Sequence, residues 1–161
     1  MARVRVTSLE LTDPDSLRPA PPVAGTVVER IARPELNAAL YREVGARWAW
    51  TDRLAWTDGE WRAWAGRVHT DVLRAGGETA GYYELEPQDG GSVEIAILGL
   101  REGFHARGLG GHLLTEAARR AWALPGTRRV WVHTCTLDGP HALANYRARG
   151  FTAFAEHDED R

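Results

Sequence analysis

The chain has 161 residues and 22 acidic against 20 basic side chains, a net charge of -2. That length supports one hydrophobic core and is short for two, and the near balance of charge argues against non-specific nucleic-acid binding. Apolar residues make up 43% and charged residues 26%, ordinary values for a soluble domain, and no apolar run approaches a membrane span.

Cys135 is the only cysteine, so no internal disulfide forms and nothing suggests an oxidising compartment. All 20 basic residues are arginine, which excludes Schiff-base chemistry on the chain and reads as the bias of a GC-rich bacterial genome. Met1 to Val6 carries arginines without an apolar h-region, so no secretion signal is expected and the expected location is cytoplasmic.

Arg3 to Leu11 alternates loosely and predicts a strand. Four of the eight prolines fall between Pro14 and Pro22, an extended connector, and Gly25 to Ile31 predicts a second strand. Pro34-Glu35 starts a helix on which Leu36, Leu40, Tyr41 and Val44 recur at helical spacing before Gly45. Arg47 to Leu54 has no regular period and holds Trp48 and Trp50 beside Asp52 and Arg53, with Trp56 following. Thr57 and Glu60 have capping-box spacing, and Trp61, Trp64, Ala65 and Val68 share a helical face beyond them.

A hairpin follows, with strands Asp71 to Arg74 and Thr79 to Leu85 around Gly76-Gly77. Pro87 to Gly91 turns the chain into Ser92 to Leu100, a central strand apolar on both faces except at Glu94. After the glycine-bearing segment Phe104 to Gly111, a helix runs from His112 to Leu124 and stops before Pro125-Gly126. Arg129 to Thr136 predicts a strand, Pro140 to Arg149 a short helix closed by Gly150, Phe151 to Ala155 a last strand, and residues 156–161 a polar tail. The order implies one mixed α/β domain over residues 1–161, with residues 1–31 as N-terminal strands and connector.

Within this order, strand, glycine turn and helix at Phe104 to Gly111 aim successive backbone N–H groups at one point, where the helix dipole favours an anion. By itself this also describes mononucleotide loops and ordinary tight turns. Two motifs narrow it. His105-Ala106-Arg107-Gly108-Leu109-Gly110 resembles the pyrophosphate pattern of the GNAT acetyltransferase superfamily, and Ala142 with Asn145-Tyr146-Arg147-Ala148-Arg149-Gly150-Phe151 resembles its late helix signature. Three positions depart from that pattern: His105 where glutamine or arginine is usual, Gly139 where asparagine is common, and Asn145 where leucine is common.

The resemblance implies a twisted, mostly antiparallel sheet with a splayed central parallel strand pair flanked by helices. It implies acetyl-CoA as cosubstrate, with the diphosphate on the amides of His105, Ala106, Arg107, Gly108, Gly110 and Gly111. Backbone groups of Leu98 and Leu100 would take the acetyl and pantetheine ends, the Leu98 N–H polarising the thioester carbonyl, and a bulge at Gly99 would splay the strands. No metal is expected, because the histidines show no ligand spacing beyond His133-x-Cys135.

An amine acceptor must lose a proton before attack. Glu94, the one ionisable side chain of the central strand, is the candidate base, with burial expected to raise its pKa; His133 is the reserve. Tyr146 is the candidate acid for the departing thiolate. Trp50, Asp52, Trp56 and His133 are candidate acceptor-site residues, although the tryptophans equally fit loop packing. The expected activity is N-acetylation of a small-molecule primary amine. The alternatives are a protein or peptide N-acetyltransferase and a non-catalytic acyl-CoA-binding module. No nucleic-acid or membrane partner is expected. One short terminal strand stands where such folds usually have two, so an N-terminal strand or a second subunit, as a homodimer, is expected to cover the exposed edge.

Overall fold

The computed structural model describes residues 3–105 and 107–161. Its elements are β1 (Arg3–Leu11), β2 (Thr26–Ile31), α1 (Pro34–Gly45), α2 (Asp58–Ala65), β3 (His69–Ala75), β4 (Glu78–Pro87), β5 (Ser92–Leu100), α3 (Leu109–Ala123), β6 (Arg129–Cys135), α4 (Ala142–Ala148) and β7 (Thr152–Asp160). The strands form one sheet in the order β2-β3-β4-β5-β6-β1-β7. Every neighbouring pair is antiparallel except β5 and β6. This is the mixed α/β sheet with one parallel pair that the sequence implies.

Local chemistry sets several of these boundaries. Gly76 and Gly77, at φ 59° and 85°, supply the two left-handed residues of the turn joining β3 to β4. Thr57 caps α2 by accepting from the Glu60 N–H, while the Glu60 side chain accepts from the Thr57 N–H, so two end groups of a short helix are satisfied. Pro34 opens α1, where a missing N–H costs nothing.

The sheet carries helices on both faces, and β4 shows why. Its successive side chains alternate, so Tyr83 and Leu85 join α3 in the main core with Leu113, Leu114, Ala117 and Ala118, while Tyr82 faces α1 with Leu40 and Val44. Trp61 of α2, Ala38 and Tyr41 close the second face.

The central pair parts early. β5 and β6 are in register only at Ser92/Arg129, Val93/Val130 and Glu94/Trp131. On the other side of β5, Glu84 is paired with Ile97 but Leu85 with Ile95, which leaves Ala96 as an extra residue. This bulge bends β5 away from β6 and opens a V between them. The expectation that Gly99 would form the bulge is therefore corrected. Gly99 pairs regularly with Tyr82, and it is glycine for another reason: a β-carbon there would lie 2.6 Å from Val44 Cγ1 and 3.1 Å from Trp50 Cη2.

Three further boundaries differ from the sequence reading. Helix α3 begins at Leu109 rather than His112, so Gly110 and Gly111 belong to its first turn. Helix α4 spans Ala142–Ala148, shorter than Pro140 to Arg149. The predicted polar tail at 156–161 is corrected to the second half of β7, which runs to Asp160. Its acids are held there by β1, with Arg3 and Arg5 bonded to Asp158 and Arg5 beside Glu156. A run of acidic residues hides a strand from a hydrophobicity reading, because β7 is an edge strand exposed along nearly its whole length.

The edge of β6 is covered by the N-terminal strand. β1 inserts between β6 and β7 and buries Val4, Val6, Leu9 and Leu11, each at most 3% exposed. The bare edge that motivated a second subunit is thus filled by the chain itself.

Candidate active site

The V holds a cleft of about 920 Å³ bounded by the α1–α2 segment, β5, the first turn of α3, β6 and the β6–α4 loop. Its floor is set by the alternation of β5. The Arg101 N–H donates to the Ala80 carbonyl, so with the observed register Ile97 and Gly99 turn their backbone groups toward β4. Those of Leu98 and Leu100 then face the side that β6 has left. Both residues line the cleft.

At one end stands the expected anion cradle, and its three glycines have three different reasons. Gly108 caps α3 at φ 73° with no side-chain cap, leaving the N–H groups of the first turn without a side-chain partner there. A β-carbon on Gly110 would meet nothing nearer than 3.9 Å, so its face is open to a ligand. A β-carbon on Gly111 would stand 2.5 Å from Arg149 Nη1 and 2.9 Å from Ala20 Cβ, so this glycine makes room for a guanidinium brought onto the first turn of α3. Asn145 ties α4 to the same turn by donating to the Gly110 carbonyl at 3.1 Å. These free amides, the open Gly110 face and the cation of Arg149 fit a diphosphate.

Gly110, Gly111 and His105 line the cleft, while Gly108 and Arg107 do not; Arg107 lies over the Phe104 ring at 5.3 Å. Ala106, also expected in the cradle, lies outside the described residues. The His105 ring has its pKa pushed down, first by burial and then by the Arg47 charge. It is neutral at neutral pH and so is not a cation for the phosphates.

Glu94 and His133 meet across the mouth of the V, with Nδ1 of His133 3.2 Å from Oε2 of Glu94. Gln88 donates to Glu94 at 3.0 Å, and Trp131 Nε1 donates to Gln88 at 3.0 Å, so the carboxylate is held in a hydrogen-bonded row. Glu94 is largely buried and His133 about half exposed. The hydrogen bond with Glu94 pushes the His133 pKa up against the opposing effect of burial. The two residues weighed as separate bases are therefore one coupled pair.

Tyr146 of α4 is 7% exposed and lines the cleft. Its ring packs on Phe151 at 6.0 Å. Burial, then the Asp138 charge, raises its pKa well above that of a free phenol, which keeps the hydroxyl a proton-bearing donor.

The acceptor-side residues divide. Trp50 and Asp52 line the cleft, as do Tyr41, Trp48 and Trp64. Trp56 does not border it. It packs on Trp61 at 4.9 Å and on Trp64 at 6.0 Å, and with them and Tyr41 it surrounds Arg53, whose guanidinium carbon lies 4.4 to 5.9 Å from the four rings. Arg53 Nη1 donates at 2.9 Å to the fully buried Glu84, which also accepts from Trp64 Nε1 and Asn37 Nδ2. The tryptophan cluster thus houses the protein's own cation.

Asp138, Gly139, His141, Asn145 and Arg161 also line the cleft. Asp138 accepts from the Cys135 N–H and from the Thr134 hydroxyl. No spacing in the sequence marks Asp138, His141 or Arg161, and Arg161 is brought in only because β7 continues to Asp160. Among the described residues, no three His, Cys, Asp or Glu side chains are placed to hold a metal. Nor is any helix long and apolar enough to cross a membrane.

A bulged central strand, a V closed at one end by a glycine-capped helix, and a tyrosine from the following helix form the arrangement that the GNAT resemblance implies. Residues 32–151 match the model of the "Acetyltransferase (GNAT) family", and the chain belongs to that family. No protein of curated function matches the sequence. Among solved structures, a GCN5-related N-acetyltransferase from Kribbella flavida is similar at 20% identity and TM-score 0.70, over 94% of this chain and 55% of that one. An IAA acetyltransferase from Bacillus cereus is similar at 25% identity and TM-score 0.62, over 81% and 79% of the two chains. A Bacillus subtilis acetyltransferase solved in complex with CoA is similar at 24% identity and TM-score 0.64, over 81% and 78%. The chain spans only 50 to 63% of the length of the first five structures that it matches.

Proposed function

We propose that the chain transfers the acetyl group of acetyl-CoA to a small-molecule primary amine by direct attack. The observation that carries this reading is that the Glu94–His133 pair, Tyr146 and the backbone of Leu98 and Leu100, which no strand pairs on that side, all border one cleft. Acetyl-CoA, when bound, supplies an activated thioester. The first-turn amides of α3, with Arg149, hold its diphosphate, and the free edge of β5 holds the pantetheine arm by backbone hydrogen bonds. The Leu98 N–H donates to the thioester carbonyl oxygen as it gains charge; removing one such donor typically costs about 10²–10³ in rate.

The Glu94–His133 pair takes the proton that the acceptor ammonium must lose, and Tyr146 donates its hydroxyl hydrogen bond to the departing sulfur. An aromatic wall of Tyr41, Trp50 and Trp64 beside Asp52 favours a compact amine over a protein terminus, which needs an open groove. The test is thiol release from acetyl-CoA with a broad panel of amines, amino acids and peptides. Turnover with small amines is expected, falling at least about 10²-fold in Glu94→Gln and by a smaller factor in Tyr146→Phe. CoA binding with no turnover on any acceptor would replace the enzyme by a binding module.

A further inference from the structure

We propose that Trp48 is the roof of the pantetheine channel and a positioning residue for the cofactor arm, standing in the space that a side chain at position 139 would otherwise fill. The inference rests on the CoA reading of the cleft. The Trp48 indole leaves the α1–α2 segment and reaches across the V. A β-carbon on Gly139, in the opposite β6–α4 loop, would lie 2.9 Å from Cη2 of Trp48 and 3.1 to 3.2 Å from the neighbouring ring carbons. The same indole meets the His105 ring edge-on, with centroids 6.1 Å apart. One ring therefore touches the segment after α1, the cradle and the loop before α4.

The backbone is bent to place it. Ala49, the next residue, is the only non-glycine among the described residues with a positive φ, at 58°, a conformation that a residue with a β-carbon seldom adopts. Its effect is to send the two flanking indoles to different places. Trp50 lies down against Gly45 and Gly99 on β5, and Trp48 spans to Gly139.

Beneath Trp48, the cleft offers an unmet partner. His105 Nε2 is buried and has no hydrogen-bond partner among the described residues, while the Leu100 backbone holds the other side of the ring. An orphaned buried acceptor is costly, so a ligand that supplies a donor is favoured there. The pantetheine arm carries two amide N–H groups and a hydroxyl, and it must run between the cradle and the free edge of β5. An arm passing under the indole supplies the donor that Nε2 lacks, and Trp48 covers it from water.

The test is titration calorimetry on the full chain with CoA and with 3′-phosphoadenosine 5′-diphosphate, which shares the 3′-phosphate and the diphosphate and lacks the arm. Trp48→Ala is expected to weaken CoA about tenfold or more and to leave the armless nucleotide within about twofold, and Trp48→Phe to lose less CoA affinity than Trp48→Ala. Gly139→Asn in the Trp48→Ala background is expected to recover part of the CoA affinity, because the vacated space then accepts a side chain. An unchanged CoA affinity in Trp48→Ala, or equal losses for both ligands, overturns the proposal. Failure of the unsubstituted chain to bind CoA overturns the functional reading itself.

Discussion

His133 has its pKa raised by the hydrogen bond with Glu94, and the sign of the consequence follows directly. In the proposed reaction the pair accepts the amine proton only when His133 is deprotonated. Activity must therefore be low in acid and rise with pH through a transition above the ordinary histidine value of about 6.5. In Glu94→Gln the largest cause of the rise is gone while burial still opposes the charge, so the acid limb of kcat/KM moves to lower pH even as its plateau falls. A profile with no ascending limb above about pH 6.5, or a limb that does not move in Glu94→Gln, removes the pair from the proton transfer. Tyr146 sets no limb in this range, because its pKa is pushed upward.

The α1–α2 segment has little regular structure between residues 46 and 57, yet a buried charge pins it to the sheet. Glu84 of β4 has no exposed surface and accepts from Arg53, Trp64 and Asn37, so one carboxylate joins β4 to α1, to α2 and to the segment between them. Removing it strands a guanidinium that is only 12% exposed. Glu84→Ala is expected to destabilise the fold by about 3–5 kcal/mol in urea unfolding, and Glu84→Gln by less, because the amide keeps one acceptor. A loss under about 1 kcal/mol in Glu84→Ala would mean that the aromatic cage alone holds the segment. Since Trp48, Trp50 and Asp52 ride on this segment, the same variant should weaken acceptor binding before it abolishes folding.

Across the whole molecule, the strand that closes the sheet comes from the far end of the chain. β1 pairs with β6 on one side and β7 on the other, and its four buried aliphatic side chains contribute roughly 1.5–3 kcal/mol each. Deleting residues 1–11 removes that burial, bares the edge of β6 and leaves β7 with no neighbour. The truncated chain is expected to lose cooperative thermal unfolding and to aggregate, as followed by circular dichroism and light scattering. A cooperatively folded, monodisperse truncated chain would show that β7 can take the place of β1.

Much of this was legible before any coordinates. The period of α1, the Thr57–Glu60 box, the hairpin glycines and the order of strand, glycine turn and helix at residues 92–124 are local signals, written in neighbouring residues and obeyed locally. Glu94, His133 and Tyr146 could be nominated one at a time from residue type and motif. What only the tertiary structure decided is which of them meet. Glu94 and His133 are 39 positions apart and become a pair because β5 and β6 are parallel up to Trp131. Trp56 looks like an acceptor-site residue in sequence and instead packs onto Arg53, which is held there because Glu84, a charge on a distant strand, must be neutralised when buried. Gly139 and Trp48 carry no sequence signal of one another, and their fit exists only where the two arms of the V come together. Sequence wrote the elements and the chemistry available to them; burial and strand register chose the partners, because both depend on contacts between residues far apart in the chain.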